Sequence, residues 1–251
     1  MIFQANIDND SVALLPAACF PGRVVVVDRD EMIDQACDDL QRFERIGFDT
    51  ETRPSFRAGI SYKVSLLQLS TPDTCYLFRL CKVRLSNRIL KILGSRRILK
   101  VGADVSGDIR QLRELRDFHA DGFVDLQHEA SRWGIEEKSL RKLSAIVLGE
   151  RVSKAQRLSN WEATILTDQQ RDYAATDAWV SLKILDELLK VKPVIEAPLT
   201  IVGAPQPKSA KPMPNKARAG EAKGDRPKPR NRHRRFVPKK IKENKENKRA
   251  E

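Results

Sequence analysis

Six short apolar runs, each closed by a turn signal or followed by a helical pattern, restrict what this chain can fold into. The segments "RVVVVD" (23–28), "RIGFDTE", "KVSLLQLS", "CYLFRL", "RILKVGA" and "GFVDL" are rich in β-branched and aromatic residues and too short for helices, so they read as strands. The turn signal "TPDT" joins the third and fourth into an antiparallel hairpin. From there strand and helix alternate: helix "SNRILKIL" ending at Gly94, a strand, helix "DVSGDIRQLRELRDF", and a strand after the Gly122 turn. An antiparallel start followed by alternation describes an α/β fold with a mixed β-sheet flanked by helices. Between the first two strands, Asp30 is expected to cap "EMIDQACDDLQRF", where Met32, Ile33, Ala36, Leu40 and Phe43 recur at helical spacing. From Gln127 to Lys190 the chain reads as helical, and its last long helix begins at Thr167, with Gln170 in the capping-box position.

Charge divides the chain in two. Of its 251 residues 46 are basic and 34 acidic, yet residues 201–251 hold 17 of the basic and only 5 of the acidic ones. The whole formal charge of +12 therefore belongs to the C-terminal tail, and the first 200 residues are neutral. This organisation predicts an N-terminal extension over residues 1–20, one domain over 21–195, and a disordered basic tail over 196–251, rich in Pro, Lys, Arg, Ala and Asn. Cys19, Cys37, Cys75 and Cys81 have no CxxC spacing and no neighbouring His to complete a zinc set, which suits a reduced intracellular protein. The N-terminus lacks a basic signal-peptide region, and no run approaches the roughly 20 apolar residues of a membrane helix. The expectation is a protein that is not secreted and not in a membrane, cytoplasmic, or nuclear if the source is eukaryotic.

Three segments carry acids in settings that invite chemistry. Asp49 and Glu51 close the apolar run "RIGFDTE"; side chains alternate on a strand, so both point the same way, about 6 to 7 Å apart. Asp108 lies one turn into the helix of "KVGADVSGDIRQL", with Asp104 four residues earlier, able to share its face or act as N-cap. Spacing alone leaves the choice between those two acids open. Tyr173 and Asp177 are also four apart on one helix face, among the small residues Ala174, Ala175 and Ala178. Each element has a bland alternative: a solvated strand end, a helix cap, a core aromatic. Four carboxylates from three segments are, jointly, how a chain builds a two-metal site.

The segments "FDTET", "VGADVSGDIRQL" and "SNWEATILTDQQRDYAATDAW", in this order, resemble the three exonuclease motifs of the DEDD superfamily, most closely its RNase D and Werner-syndrome-type branch. The resemblance runs from about Val24 to Leu189. It implies a ribonuclease H-like sheet and removal of nucleotides from the 3′ ends of DNA or RNA, leaving 5′-monophosphates. It also selects Asp108 over Asp104 as the second-motif acid. By the same resemblance Asp49, Glu51, Asp108 and Asp177 bind the metals, and Tyr173 marks the tyrosine subtype. Oxygen-only ligands suit two divalent ions, Mg²⁺ or Mn²⁺, rather than zinc. No His lies in the motifs, so water is the expected nucleophile, oriented by the Tyr173 hydroxyl.

Further candidates surround that set. The backbones of Thr50 and Thr52 flank the first motif and are expected to meet the terminal nucleotide. Ser159, Asn160 and Trp161 match a Ser-x-Trp element of relatives, where Trp161 either stacks on substrate or braces the last helix. Lys154 and Arg157 are placed to meet phosphate or are simply solvated, and Arg110 stands where the Werner-type enzyme carries an aromatic. In the tail, "KPRNRHRRFVPKKIKENK" sets dense positive charge around Phe236, an arm suited to phosphate backbones, to solubility, or to nuclear import. Two other functions stay open from sequence: trimming of structured RNA, and a non-catalytic nucleic-acid-binding scaffold.

Overall fold

In the computed structural model, which describes residues 3–57 and 59–203, all six anticipated strands form and join one sheet. They are β1 (Arg23–Val27), β2 (Arg45–Thr52), β3 (Val64–Ser70), β4 (Thr74–Phe78), β5 (Leu99–Gly102) and β6 (Phe123–Asp125). A seventh, β7 (Ile201–Val202), completes the order β1-β4-β3-β2-β5-β6-β7. The pairs β4–β3, β3–β2 and β6–β7 are antiparallel, and β1–β4, β2–β5 and β5–β6 are parallel. The "TPDT" hairpin is held by the Thr71 amide donating to the Thr74 carbonyl at 2.9 Å. Every residue of β3 is buried, which explains why its sequence is an apolar run without alternation: both faces of this central strand are covered.

Seven helices accompany the sheet among the described residues: α1 (Asn9–Leu14), α2 (Ile33–Leu40), α3 (Asn87–Leu93), α4 (Val105–Leu115), α5 (Leu126–Glu129), α6 (Leu140–Leu148) and α7 (Asp168–Leu189). Residues of α2, α3 and α4 such as Leu40, Ile89 and Leu112 pack with Ile46 and Phe48 of β2 in one core. On another face Leu143 of α6 and Ile184 and Leu185 of α7 pack over Val101 of β5 and Val124 of β6. The long helix α7 reaches β2, β3, β4 and β5. Its start is as expected: the Thr167 hydroxyl accepts from the Gln170 amide at 3.2 Å, and the Gln170 side chain accepts from the Thr167 amide at 3.0 Å. This closed capping box fixes where the helix begins and hence the phase of every residue along it.

Three sequence expectations are corrected. Asp30 does not cap α2: a 3-10 turn, Asp30–Met32, precedes the helix, with Arg29 at its N-cap position and no side-chain cap. Asp30 instead lies in the first turn, where an acid suits the exposed amides. The stretch expected to be helical from Gln127 to Lys190 breaks first at Gly134 and again at Gly149, both in the left-handed conformation, and residues 134–139 and 150–166 lie outside the helices. Finally, order extends past residue 195. The amides of Val194 and Ile195 donate to the Arg132 carbonyl, the Thr200 amide donates to Glu129 Oε1 at 2.9 Å, and Ile201 and Val202 pair with Val124 and Phe123. Two paired residues between prolines carry too little periodicity to read as a strand. The expected disorder of the tail and its basic cluster from residue 204 onward lie outside the described residues.

Residues 3–20 are also tied to the domain. Phe20 is buried and its amide donates to Thr176 Oγ1 of α7 at 3.1 Å, while Ala17 bridges to Arg151. Among the described residues no helix is long and apolar enough to cross a membrane.

Candidate active site

On β2, Ile46 and Phe48 point into the core beneath α2, α3 and α4, so alternation sends Gly47, Asp49 and Glu51 to the opposite face, toward α7. Gly47 sets the distance there. A Cβ at this position would fall 1.9 Å from the Ala178 carbonyl oxygen, so only glycine lets α7 lie this close to β2. Ala174, Ala175 and Ala178, all fully buried, give the helix the matching small surface. The close contact delivers Asp177 to the strand acids. One carboxylate oxygen from each of Asp49, Glu51 and Asp177 lies within 4.8 Å of the others. Asp177 is buried, and its Oδ1 has no hydrogen-bond partner.

Asp108 arrives from α4. That helix starts after Asp104, the one non-glycine residue with positive φ (64°) among those described, whose amide donates to Asp125 Oδ1 at 3.2 Å. In the first turn, Asp108 Oδ1 accepts a 2.6 Å hydrogen bond from Thr50 Oγ1, and the Thr50 amide donates to Asp49 Oδ1 at 2.9 Å. Thr50 thus ties the α4 acid to the strand. Asp104 is exposed; its charge acts on Asp108, whereas the charges acting on Asp49 and Glu51 include that of Asp108.

The electrostatics follow from packing acids together away from water. Burial raises the Asp49 carboxyl well above the usual range, and the charges of Asp108, Asp177 and Glu51 raise it further. Glu51 is pushed up to about 9 by burial and then by Asp177 and Asp108, with Arg157 and the Trp161 indole pulling the other way. Burial lifts Asp108 and Asp177 to about 7, opposed by Thr50 at the first and Tyr173 at the second. Tyr173 is also raised, by burial and then by Asp177, Glu51 and Asp49, so its hydroxyl stays protonated.

The outer candidates divide. Arg157 is exposed and its charge reaches Glu51, but Lys154, three residues earlier, makes no hydrogen bond or ion pair to the acids. Trp161 is fully buried, with its ring centroid 6.0 Å from that of Tyr173 in a tilted contact, which supports bracing over the alternative of stacking on substrate. The Thr52 hydroxyl donates to Gln111 Oε1 at 3.1 Å and that of Thr50 to Asp108, so both side chains are engaged within the protein. Arg110 is exposed on α4.

Sequence reasoning missed the groups that hold the Trp161 loop. Arg79, buried at the end of β4, donates to the carbonyls of Trp161 and Ala163, and Lys82 Nζ donates to the Thr164 carbonyl at 2.6 Å. An arginine inside the apolar run "CYLFRL" was the available signal, since a buried guanidinium needs acceptors. Gln170 Nε2 adds a 3.2 Å bond to the Asn160 carbonyl, coupling the loop to the α7 cap.

A family model described as 3′-5′ exonuclease matches residues 24–192. The chain is 33% identical over 186 residues to the bifunctional 3′-5′ exonuclease/ATP-dependent helicase WRN of Mus musculus, covering 69% of this chain and 13% of that protein. It is 33% identical over 183 residues to exonuclease 3′-5′ domain-containing protein 2 of Homo sapiens, covering 66% of this chain and 29% of that protein. The chain therefore spans less than a third of the length of these two curated relatives. Among solved structures, the EXO domain of Nibbler from Aedes aegypti is similar with a TM-score of 0.57 at 27% identity, covering 67% of this chain and 88% of that one.

Proposed function

This chain belongs to the 3′-5′ exonuclease family, in its DEDD, RNase D- and WRN-like branch, and from that premise we propose how its site works. It removes nucleotides singly from the 3′ ends of DNA or RNA and leaves 5′-monophosphates. Asp49, Glu51, Asp108 and Asp177 hold two divalent ions, Mg²⁺ or Mn²⁺.

The observation that carries this reading is a crowded, uncompensated anion cluster. Three carboxylates lie within 4.8 Å, one of them with a buried oxygen that nothing donates to, and together with Asp108 all have raised affinity for protons. Such an arrangement is costly unless cations bind it. The donor atoms are all carboxylate oxygens, which fit hard ions of the Mg²⁺ and Mn²⁺ type. When bound, such a pair supplies activation of the attacking water and charge stabilisation of the departing 3′-oxygen.

The chain's own groups do the positioning. Thr50 locks the orientation of Asp108 through its hydroxyl and of Asp49 through its amide. The protonated Tyr173 hydroxyl, beside Asp177, is a polar group placed to orient the attacking water. Trp161 braces the Tyr173 ring from behind, and Arg157 supplies positive charge near Glu51 for a substrate phosphate. The test is a set of 5′-labelled substrates: single-stranded DNA, recessed duplex DNA and RNA, each with Mg²⁺ or Mn²⁺. The expected result is a ladder shortening from the 3′ end, absent with chelator; internal cleavage, or products ending in 3′-phosphate, would contradict the reading.

A further inference from the structure

The loop that follows β2 builds a groove that the acid cluster does not use. It begins at Arg53, two residues beyond Glu51, has a volume of about 430 Å³, and is lined by Arg53, Phe56, Arg57, Ile60, Tyr62 and Leu158, with Asn160 at its margin. Its lining is unlike an ordinary solvated loop. Phe56 is 82% exposed and Leu158 and Ile60 are 59% and 44% exposed, a set of apolar groups left facing water around two arginines. The two arginines differ in state. Arg53 is fixed, stacked 4.6 Å over the Tyr62 ring and paired with Glu162 at 3.2 Å. Arg57 is exposed and makes no ion pair among the described residues.

An exposed aromatic face beside a free guanidinium is the combination that binds single-stranded nucleic acid: the base stacks on the ring and the cation meets the phosphate. Position gives it a place along the substrate. The β2–β3 register shifts between Glu51 and Thr52, a bulge that turns the chain out of the strand into this loop. Asn160, which also lines the groove, is the chain neighbour of Trp161, which braces Tyr173. The groove thus starts close to the acid cluster along the chain, with Arg53 roughly 6 to 7 Å of strand beyond Glu51.

We propose that this groove is a subsite for the unpaired nucleotides immediately 5′ of the one being removed, with a base on Phe56 and a phosphate on Arg57. The proposal rests on the exonuclease reading and names what that site demands of its substrate: a 3′ end that is single-stranded over the groove as well as at the cleaved bond. A paired base has both its faces covered by neighbours in the stack and is not free for Phe56. Discrimination between single and paired ends then comes from this loop, while the acid cluster treats them alike.

The experiment measures kcat/KM for 3′-end hydrolysis of oligothymidylates from two to eight nucleotides long, with Mg²⁺. For the wild type, kcat/KM should rise about tenfold in one step when the chain grows from two to three or four nucleotides. Phe56→Ala and Arg57→Ala should each flatten that step through KM, and Phe56→Trp should restore it. An abasic site at the nucleotides preceding the last should cost as much as Phe56→Ala and cost nothing further in that variant. If the step persists in both alanine variants, the subsite is wrong although the exonuclease reading stands. A wild type that releases no nucleotide from any of these oligomers overturns both. Thermal unfolding of each variant within a few degrees of wild type, expected for exposed side chains, separates these outcomes from misfolding.

Discussion

At the residue scale, four carboxylates brought together away from water make the site a store of electrostatic tension that metal relieves. Their raised proton affinity fixes a sign. A carboxyl whose folded value lies above its ordinary 3.8 or 4.5 stabilises the fold fully below that ordinary value, and the contribution is lost as pH rises through the folded value. Metal-free protein should therefore lose stability between about pH 4 and pH 9, through about 7 for Asp108 and Asp177 and about 9 for Glu51. Mg²⁺ should raise the melting temperature more at pH 8 than at pH 6. Thermal unfolding across this range checks it; an unchanged slope in Asp49→Asn/Asp177→Asn would assign the pH dependence elsewhere. Thr50→Val removes the hydroxyl that orients Asp108 and should cost about 10- to 100-fold in kcat/KM, read from initial rates at saturating Mg²⁺. The acids were legible in the sequence because each ends an apolar run or shares a helix face. Thr50 was legible only for its backbone, because its hydroxyl works through a contact 58 residues away, and for Trp161 burial decides between the two roles the sequence left open.

At the scale of elements, the site depends on how closely α7 meets β2. Gly47→Ala would drive a methyl group into the Ala178 carbonyl and push helix and strand apart. It should destabilise the protein by about 3 kcal/mol, measured by denaturant unfolding, and reduce hydrolysis by a larger factor than its fold population accounts for, since Asp177 moves with the helix. Unaltered activity in a folded Gly47→Ala protein would contradict the idea that this contact sets the site. The six longer strands were readable because their apolar residues form runs of the right length, and α7 because its cap lies in sequence. The edge strand β7 was not: Ile201 and Val202 gain their order from Val124 and Phe123, nearly 80 residues earlier in the chain, and from Glu129, which holds the Thr200 amide. Ending the chain at residue 195 should thus lower the melting temperature by several degrees, whereas ending it at 203 should not.

At the scale of the whole molecule, charge and chemistry are carried by different parts of the chain. The first 200 residues are neutral and hold the acids, so attraction of a polyanion rests on local cations such as Arg157 and Arg57 and, we propose, on the basic tail. Deleting residues 204–251 should weaken binding of single-stranded DNA about tenfold near 0.1 M salt and flatten its salt dependence, as followed by fluorescence anisotropy; an unchanged salt slope would rule out tail anchoring. The mixed sheet was legible from the order of strand and helix signals, and the charge division from simple counting, but the contacts of Phe20 with Thr176 and of Ala17 with Arg151 were not, since short polar-flanked segments carry no period. The central claim is that these four acids perform metal-dependent hydrolysis from the 3′ end. Its most direct test is the product ladder of 5′-labelled single-stranded DNA for wild type and Asp49→Ala, with Mg²⁺ and with chelator: stepwise 3′ shortening to 5′-mononucleotides only for wild type with Mg²⁺ is the predicted result, and full metal-dependent activity in Asp49→Ala would contradict it.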